Sequence, residues 1–252
     1  MNTLKNLIIS IITILCLSQT AQSRTFGLFI GLSEYNRDDV TPHQSSYNDA
    51  VDLYNLYKST AKNGIFLLLT NEEATTENII KVAKRHFSHA KKDDTIVFFI
   101  STHGHDGGVS TYDGYLYTRQ VREIFHNSKA TNKYIIVNSC HSGSFNTTPE
   151  ETSSQSTWSN MGNIAQNGRS NVIILTSTRH NMLSYTYVGE NYNSHFVSSL
   201  LNGLGGSADS NSDGIITIGE TYDFIKESFK NNTDQTPQMV GRFNRNTPFI
   251  IQ

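Results

Sequence analysis

The sequence predicts a three-layer α/β sandwich built around a mostly parallel sheet. Three observations predict it. Short, continuous apolar runs of strand length recur along the chain. Stretches with apolar residues at helical spacing alternate with them. The chain of 252 residues is also long enough to cover both faces of a sheet. Strands that are apolar throughout, rather than at every second position, belong to sheets buried on both sides.

The first apolar run is FGLFIGL over residues 26–32. Residues 48–60 follow as a helix, with Ala50, Leu53, Tyr54 and Tyr57 on one face. GIFLLL over 64–69 reads as a second buried strand. Residues 72–90 read as a helix, with Thr75 or Thr76 as N-cap and Ile79, Ile80, Ala83 and Phe87 inward. The third strand is TIVFFI over 95–100, followed by a helix over 118–127. KYIIV over 133–137 and NVIILT over 171–176 complete the strands. Helices over 196–204 and 218–229 close the chain. Between the last two strands, residues 146–170 are rich in Ser, Thr, Asn and Gln, with Arg169 their only basic residue. A loop of that length is usually functional or disordered. Trp158, the lone tryptophan, lies in it, either as a lid or as an anchor.

Residues 1–23 read as a signal segment. Lys5 is the basic start, residues 7–17 are apolar, and Ala21-Gln22-Ser23 fits a small-x-small cleavage site. The apolar stretch is shorter than the roughly 20 residues that span a bilayer. The expectation is a mature chain, 24–252, that is secreted, periplasmic or on the cell surface, with no stable membrane span. A net charge of −2 gives no reason to expect nucleic acid as a partner.

Of the two cysteines, Cys16 falls in the signal segment, so the mature chain would carry Cys140 alone and no internal disulfide. A buried core cysteine is the plain alternative. The surroundings argue against it. In an open parallel sheet, ligands bind at the carboxyl ends of the strands. The third strand ends in Ser-Thr-His103-Gly104 and the fourth in Asn138-Ser-Cys140-His-Ser-Gly. If the two strands are neighbours, imidazole and thiol meet at one sheet edge, and a nearby imidazole favours the nucleophilic thiolate. The backbone N–H groups of Gly104 and Cys140 could form an oxyanion hole. A zinc site from His103, His105, Cys140 and His141 is a competing use of the same residues.

These two strand-and-tip motifs resemble the catalytic dyad of the caspase and metacaspase family, most closely its bacterial metacaspase-like members. Asn48-Asp49-Ala50 and Gln235-Thr236-Pro237-Gln238 are also similar to that family. The resemblance covers the mature chain. It implies the caspase–hemoglobinase fold and hydrolysis of peptide bonds through an acyl-enzyme on Cys140, with His103 as base and no cofactor needed for the chemistry. It leaves His105 and His141 outside the dyad. It implies a substrate pocket shaped by Asp49, by the residue at Asn138 and by Ser177. Family members that cleave after Arg or Lys usually carry Asp where this chain has Asn138. Cleavage after basic residues is therefore the first expectation, and a legumain-like Asn or Asp preference the alternative. A non-catalytic binding module on the same fold is the second alternative.

A separate stretch, residues 209–220, matches an EF-hand loop. Asp209, Asn211, Asp213, Ile215 (through its carbonyl), Thr217 and Glu220 occupy the ligand positions, with Gly214 at the sharp turn. Calcium is the ligand this pattern fits. A plain Asp/Asn-rich turn is the alternative, because Gly205-Gly206 interrupts the entry helix.

Overall fold

The structure is a computed structural model, which describes residues 23–105, 107–126, 128–145, 171–179, 181–185 and 192–250. The signal segment (save Ser23) and the polar segment 146–170 lie outside the described residues.

The chain forms β1 (Thr25–Gly31), α1 (Gln44–Thr60), β2 (Gly64–Thr70), α2 (Thr76–Phe87), β3 (Thr95–Ser101), α3 (Thr118–His126), β7 (Asn132–Asn138), β8 (Asn171–Thr176), α4 (His195–Asn202), α5 (Ile218–Ser228) and β9 (Gln238–Arg242). Between β3 and α3 lie three short strands, β4 (Gly104–His105), β5 (Gly108–Ser110) and β6 (Tyr115–Tyr117). The main sheet runs β2-β1-β3-β7-β8-β9, and every pair is parallel except β8 with β9. The three short strands form their own antiparallel sheet.

The apolar runs are continuous because successive side chains enter opposite cores. Leu28, Ile30, Phe98 and Ile135 point into one, with Ile79, Phe87 and Phe125 from α2 and α3. Phe29, Val97, Phe99 and Ile136 point into the other, with Leu53, Tyr57, Phe196 and Ile225 from α1, α4 and α5. Phe29 alone makes ring contacts with Tyr54, Tyr57, Phe66 and Phe99.

Two expectations need correction. The run at 64–69 is not buried throughout: β2 is an edge strand, and Ile65 and Leu67 are 46% and 37% exposed. The helix expected over 72–90 begins only at Thr76, after a 3-10 turn at Asn71–Glu73. Thr75 is its N-cap and accepts a hydrogen bond from the Asn78 amide. The sequence pattern does not announce the second sheet or β9. Strands of two or three residues carry no measurable alternation, and β9 is interrupted by Gly241.

Register positions the site. Ser101, the last residue of β3, pairs with Asn138, the last of β7. His103 and Cys140 each lie two residues further on, so they leave the sheet at the same level.

Candidate active site

The tips of β3 and β7 are pressed together. A Cβ built on Gly104 would sit 1.8 Å from the Cys140 carbonyl oxygen and 2.7 Å from Ser139 Oγ. Only glycine permits this approach. After Cys140 the chain turns at once: His141 takes a φ of 56°, and its N–H donates to the Met182 carbonyl at 2.9 Å. Cys140, His103, Asn138, Ser46, Ser184 and His43 are among the residues lining one cleft of about 110 Å3. His105 and His141 do not line it.

The His103 ring is held on three sides. Its Nε2 lies 2.8 Å from the Thr41 carbonyl. A carbonyl can only accept, so Nε2 carries the proton and Nδ1 keeps the free lone pair. Tyr35 and His43 flank the ring, each at 5.6 Å between centroids. The Tyr35 hydroxyl also bonds Thr102 Oγ1 at 2.8 Å and accepts from the His103 amide at 3.4 Å. Burial raises the Tyr35 pKa, against the lowering effect of these bonds, so the hydroxyl stays protonated. The Cys140 thiol lies 4.0 Å from the Ser184 carbonyl.

Asp49 is fully buried, with 0% exposure, and does not line the cleft. Its carboxylate accepts from Ser101 Oγ at 2.8 Å, Asn138 Nδ2 at 2.8 Å and the Ser194 amide at 2.8 Å. Burial raises its pKa to about 6, although the same hydrogen bonds act to lower it. Asn138 stands between Asp49 and the cleft. Its Nδ2 also reaches Ser101 Oγ at 3.0 Å and Ser194 Oγ at 2.8 Å, and its Oδ1 accepts from Ser184 Oγ at 2.9 Å. Ser177 lies behind the cleft wall rather than in it: its hydroxyl accepts from the Ser139 amide and donates to the Ser139 carbonyl, both at 3.2 Å. It fastens the nucleophile turn to the end of β8.

Sequence reasoning missed several residues that hold the cleft. Thr41 acts through its backbone, which no side-chain pattern reports. His43 and Ser184 lie in stretches without a motif. Gln235 had a signal, in the Gln-Thr-Pro-Gln stretch, but no role. Its Nε2 donates to the Ser177 carbonyl at 3.0 Å, and its Oε1 accepts from the Tyr185 amide at 3.0 Å. It ties the Ser184–Tyr185 strip to the end of β8.

The 209–220 loop folds on itself. Gly214 has a φ of 80°, and its amide donates to Asp209 at 2.9 Å. Asp213 accepts from the Ile215 amide at 2.8 Å and from Asn211 Nδ2 at 3.0 Å. Thr217 and Glu220 form a capping box on α5, and the second Glu220 oxygen accepts from Ser210. The oxygens and the glycine turn fit calcium, but Glu220 is committed to its cap. Among the described residues no three His, Cys, Asp or Glu side chains converge to hold a metal ion. No helix among them is long and apolar enough to cross a membrane.

Comparison with known proteins places the fold and the family. A comparison with curated proteins gives no match. Among solved structures, a protein from Geobacter sulfurreducens superposes with a TM-score of 0.63 at 14% identity, over 90% of this chain and 98% of its own. Caspase-1 from Spodoptera frugiperda superposes with a TM-score of 0.66 at 14% identity, over 93% and 95%. At that identity the likeness concerns the fold, a mostly parallel sheet between helical layers as in caspases. The family model described as the caspase domain matches residues 24–247, and the chain therefore belongs to the caspase domain family of cysteine peptidases.

Proposed function

We propose that this chain is a secreted cysteine endopeptidase in which Cys140 is the nucleophile and His103 the base. One observation carries the reading: thiol and imidazole line the same cleft, and the hydrogen bond from Nε2 to Thr41 leaves Nδ1 as the basic atom. In this mechanism Nδ1 takes the thiol proton, and the Cys140 thiolate attacks the substrate carbonyl. The carbonyl oxygen gains negative charge, and the N–H groups of Gly104 and Cys140 are the donors assigned to it. His103 returns the proton to the departing amine, leaving an acyl-enzyme. Water, deprotonated by the same Nδ1, releases the acid and frees Cys140.

The test is cleavage of a diverse peptide mixture by the wild-type protein beside Cys140→Ala and His103→Ala. Cuts that disappear in both variants support the dyad. A folded wild-type protein that cuts nothing, before or after limited proteolysis, would overturn it in favour of a binding module. A preference for basic residues would draw on Asp49, whose carboxylate is sealed from the cleft. Export through residues 1–23 is tested by N-terminal sequencing of protein recovered outside the cell, where a start near Arg24 supports it.

The 209–220 loop is assigned as a calcium site on its ligand spacing and on the Gly214 turn. In that assignment Asp209, Asn211, Asp213, Thr217, the Ile215 carbonyl and Glu220 would hold the ion, which supplies structural charge neutralisation and takes no part in peptide hydrolysis.

A further inference from the structure

The walls of the cleft specify which side chain can occupy it. Apart from the His103 base, the ionisable residues in its lining are His43, Cys140 and Tyr185; among the described residues no Asp, Glu, Lys or Arg lines it. His43 stays uncharged near neutral pH, because burial and the neighbouring His103 lower its pKa. Its Nδ1 lies 3.1 Å from Ser45 Oγ and 3.3 Å from Ser46 Oγ, so Nε2 is left as a donor when those hydroxyls donate to Nδ1. Asp49, the acid behind Asn138, already has three donors and no exposed surface.

Asn138 decides the polarity of the floor. An ionised carboxylate can only accept, so the amide end turned toward Asp49 is Nδ2. Its two protons are drawn inward, toward Asp49, Ser101 and Ser194. The Oδ1 end meets Ser184 Oγ, a cleft-lining hydroxyl. With Nδ1 of His43 accepting from the serines, the cleft offers an N–H from His43 and lone pairs on Ser46, Ser184 and Asn138.

From these groups we propose that the cleft selects an uncharged amide side chain, asparagine or glutamine, in the substrate residue preceding the scissile bond. This rests on the peptidase reading above. The amide oxygen accepts from His43, and its NH2 donates to the hydroxyl and carbonyl oxygens. A lysine or arginine would lose its water without reaching Asp49, and a desolvated cation with no counter-ion is disfavoured. An aspartate would sit across Asn138 and Ser194 from the Asp49 carboxylate both of them bond, a like-charge arrangement. An apolar side chain would strip water from the hydroxyls and return no hydrogen bond.

The experiment maps cleavage sites of the full-length protein on a proteome-derived peptide library. Alkylation of Cys140 by iodoacetamide is followed in parallel. Asn and Gln should be enriched at least tenfold over Arg and Lys before the cut. Asn138→Asp places a carboxylate in the lining and should move the ratio of basic to amide sites upward by at least tenfold. If that variant does not fold by circular dichroism, Ser184→Ala should lower the amide enrichment fivefold or more. Wild-type cuts after Arg, Lys or Asp that depend on Cys140 overturn this inference and leave the peptidase standing. A protein whose Cys140 alkylates but which cuts no peptide overturns the peptidase reading, and this inference with it.

Discussion

Gly104 Cα packs directly on the Cys140 carbonyl, with the space for one methyl group already filled by that oxygen at 1.8 Å. The base-bearing and nucleophile-bearing turns are thus fixed against each other by backbone contact. Gly104→Ala forces the two turns apart, since the nearest obstacle is the Cys140 backbone carbonyl, which no side-chain rotation can clear. Displacements near 1 Å cost on the order of 100-fold in rate. The expected result is a fall of about that size in kcat/KM on a cleaved peptide, with the far-ultraviolet spectrum unchanged. Full activity in the alanine variant would show that the contact does not set the dyad.

Asp49 gives the molecule an unusual pH dependence. Its folded pKa, about 6, lies above the ordinary 3.8, so between these values the folded state holds more proton than the unfolded one. Stability from this group is therefore fully present below about pH 4 and falls as pH rises to 6. The gap between these two values corresponds to about 3 kcal/mol. Asp49→Asn removes the titration. The difference in unfolding free energy, wild type minus variant, should decline between pH 4 and 6 and level above it. Urea titrations across that range measure it. A difference that rises with pH would show that the hydrogen bonds outweigh burial.

Much of the fold was legible because burial is written into composition. The runs in β1, β3, β7 and β8 are apolar at nearly every position, and only a sheet covered on both faces accounts for that. The edge position of β2 was hidden because Ile65 and Leu67 are apolar yet exposed. At the site, His103 and Cys140 stood out through their place after apolar strands and before glycines. The residues that orient them did not. Thr41 contributes a carbonyl that any residue could supply. Asp49 was legible as an acid near the site, but its distance from the cleft is set by the Asn138 amide, which the sequence shows only as a missing charge.

Gln235 joins elements far apart in the chain, and its loss should separate binding from chemistry. Gln235→Ala leaves the Ser177 carbonyl and the Tyr185 amide without their partner. Leaving buried polar groups unpaired costs about 1–3 kcal/mol. The Ser184–Tyr185 strip borders the cleft, while the His103 ring is held by Thr41, Tyr35 and His43 and the Cys140 backbone by the close approach of Gly104. The expected signature is a lower unfolding midpoint and a KM raised several-fold, with kcat changed less. A fall in kcat alone would place Gln235 in control of the dyad instead.

The capping box on α5 and the calcium assignment make opposing demands on Glu220. Its pKa is lowered chiefly by its bond from the Thr217 backbone, then by the Thr217 hydroxyl, so the cap weakens as pH falls through the carboxylate range. Thr217→Ala should cost about 1 kcal/mol in the presence of a chelator, the usual worth of an N-cap. A bound ion stabilises the folded chain by about 2.7 kcal/mol at 100 times its Kd. Calcium chloride should therefore raise the wild-type Tm, and Glu220→Gln should abolish that rise while keeping much of the cap through its amide oxygen. Equal concentrations of magnesium should do less, because six near-ideal ligands are harder to assemble on a loop of this shape. A wild-type Tm that ignores millimolar calcium would identify residues 209–220 as a capped turn whose carboxylates serve the backbone alone.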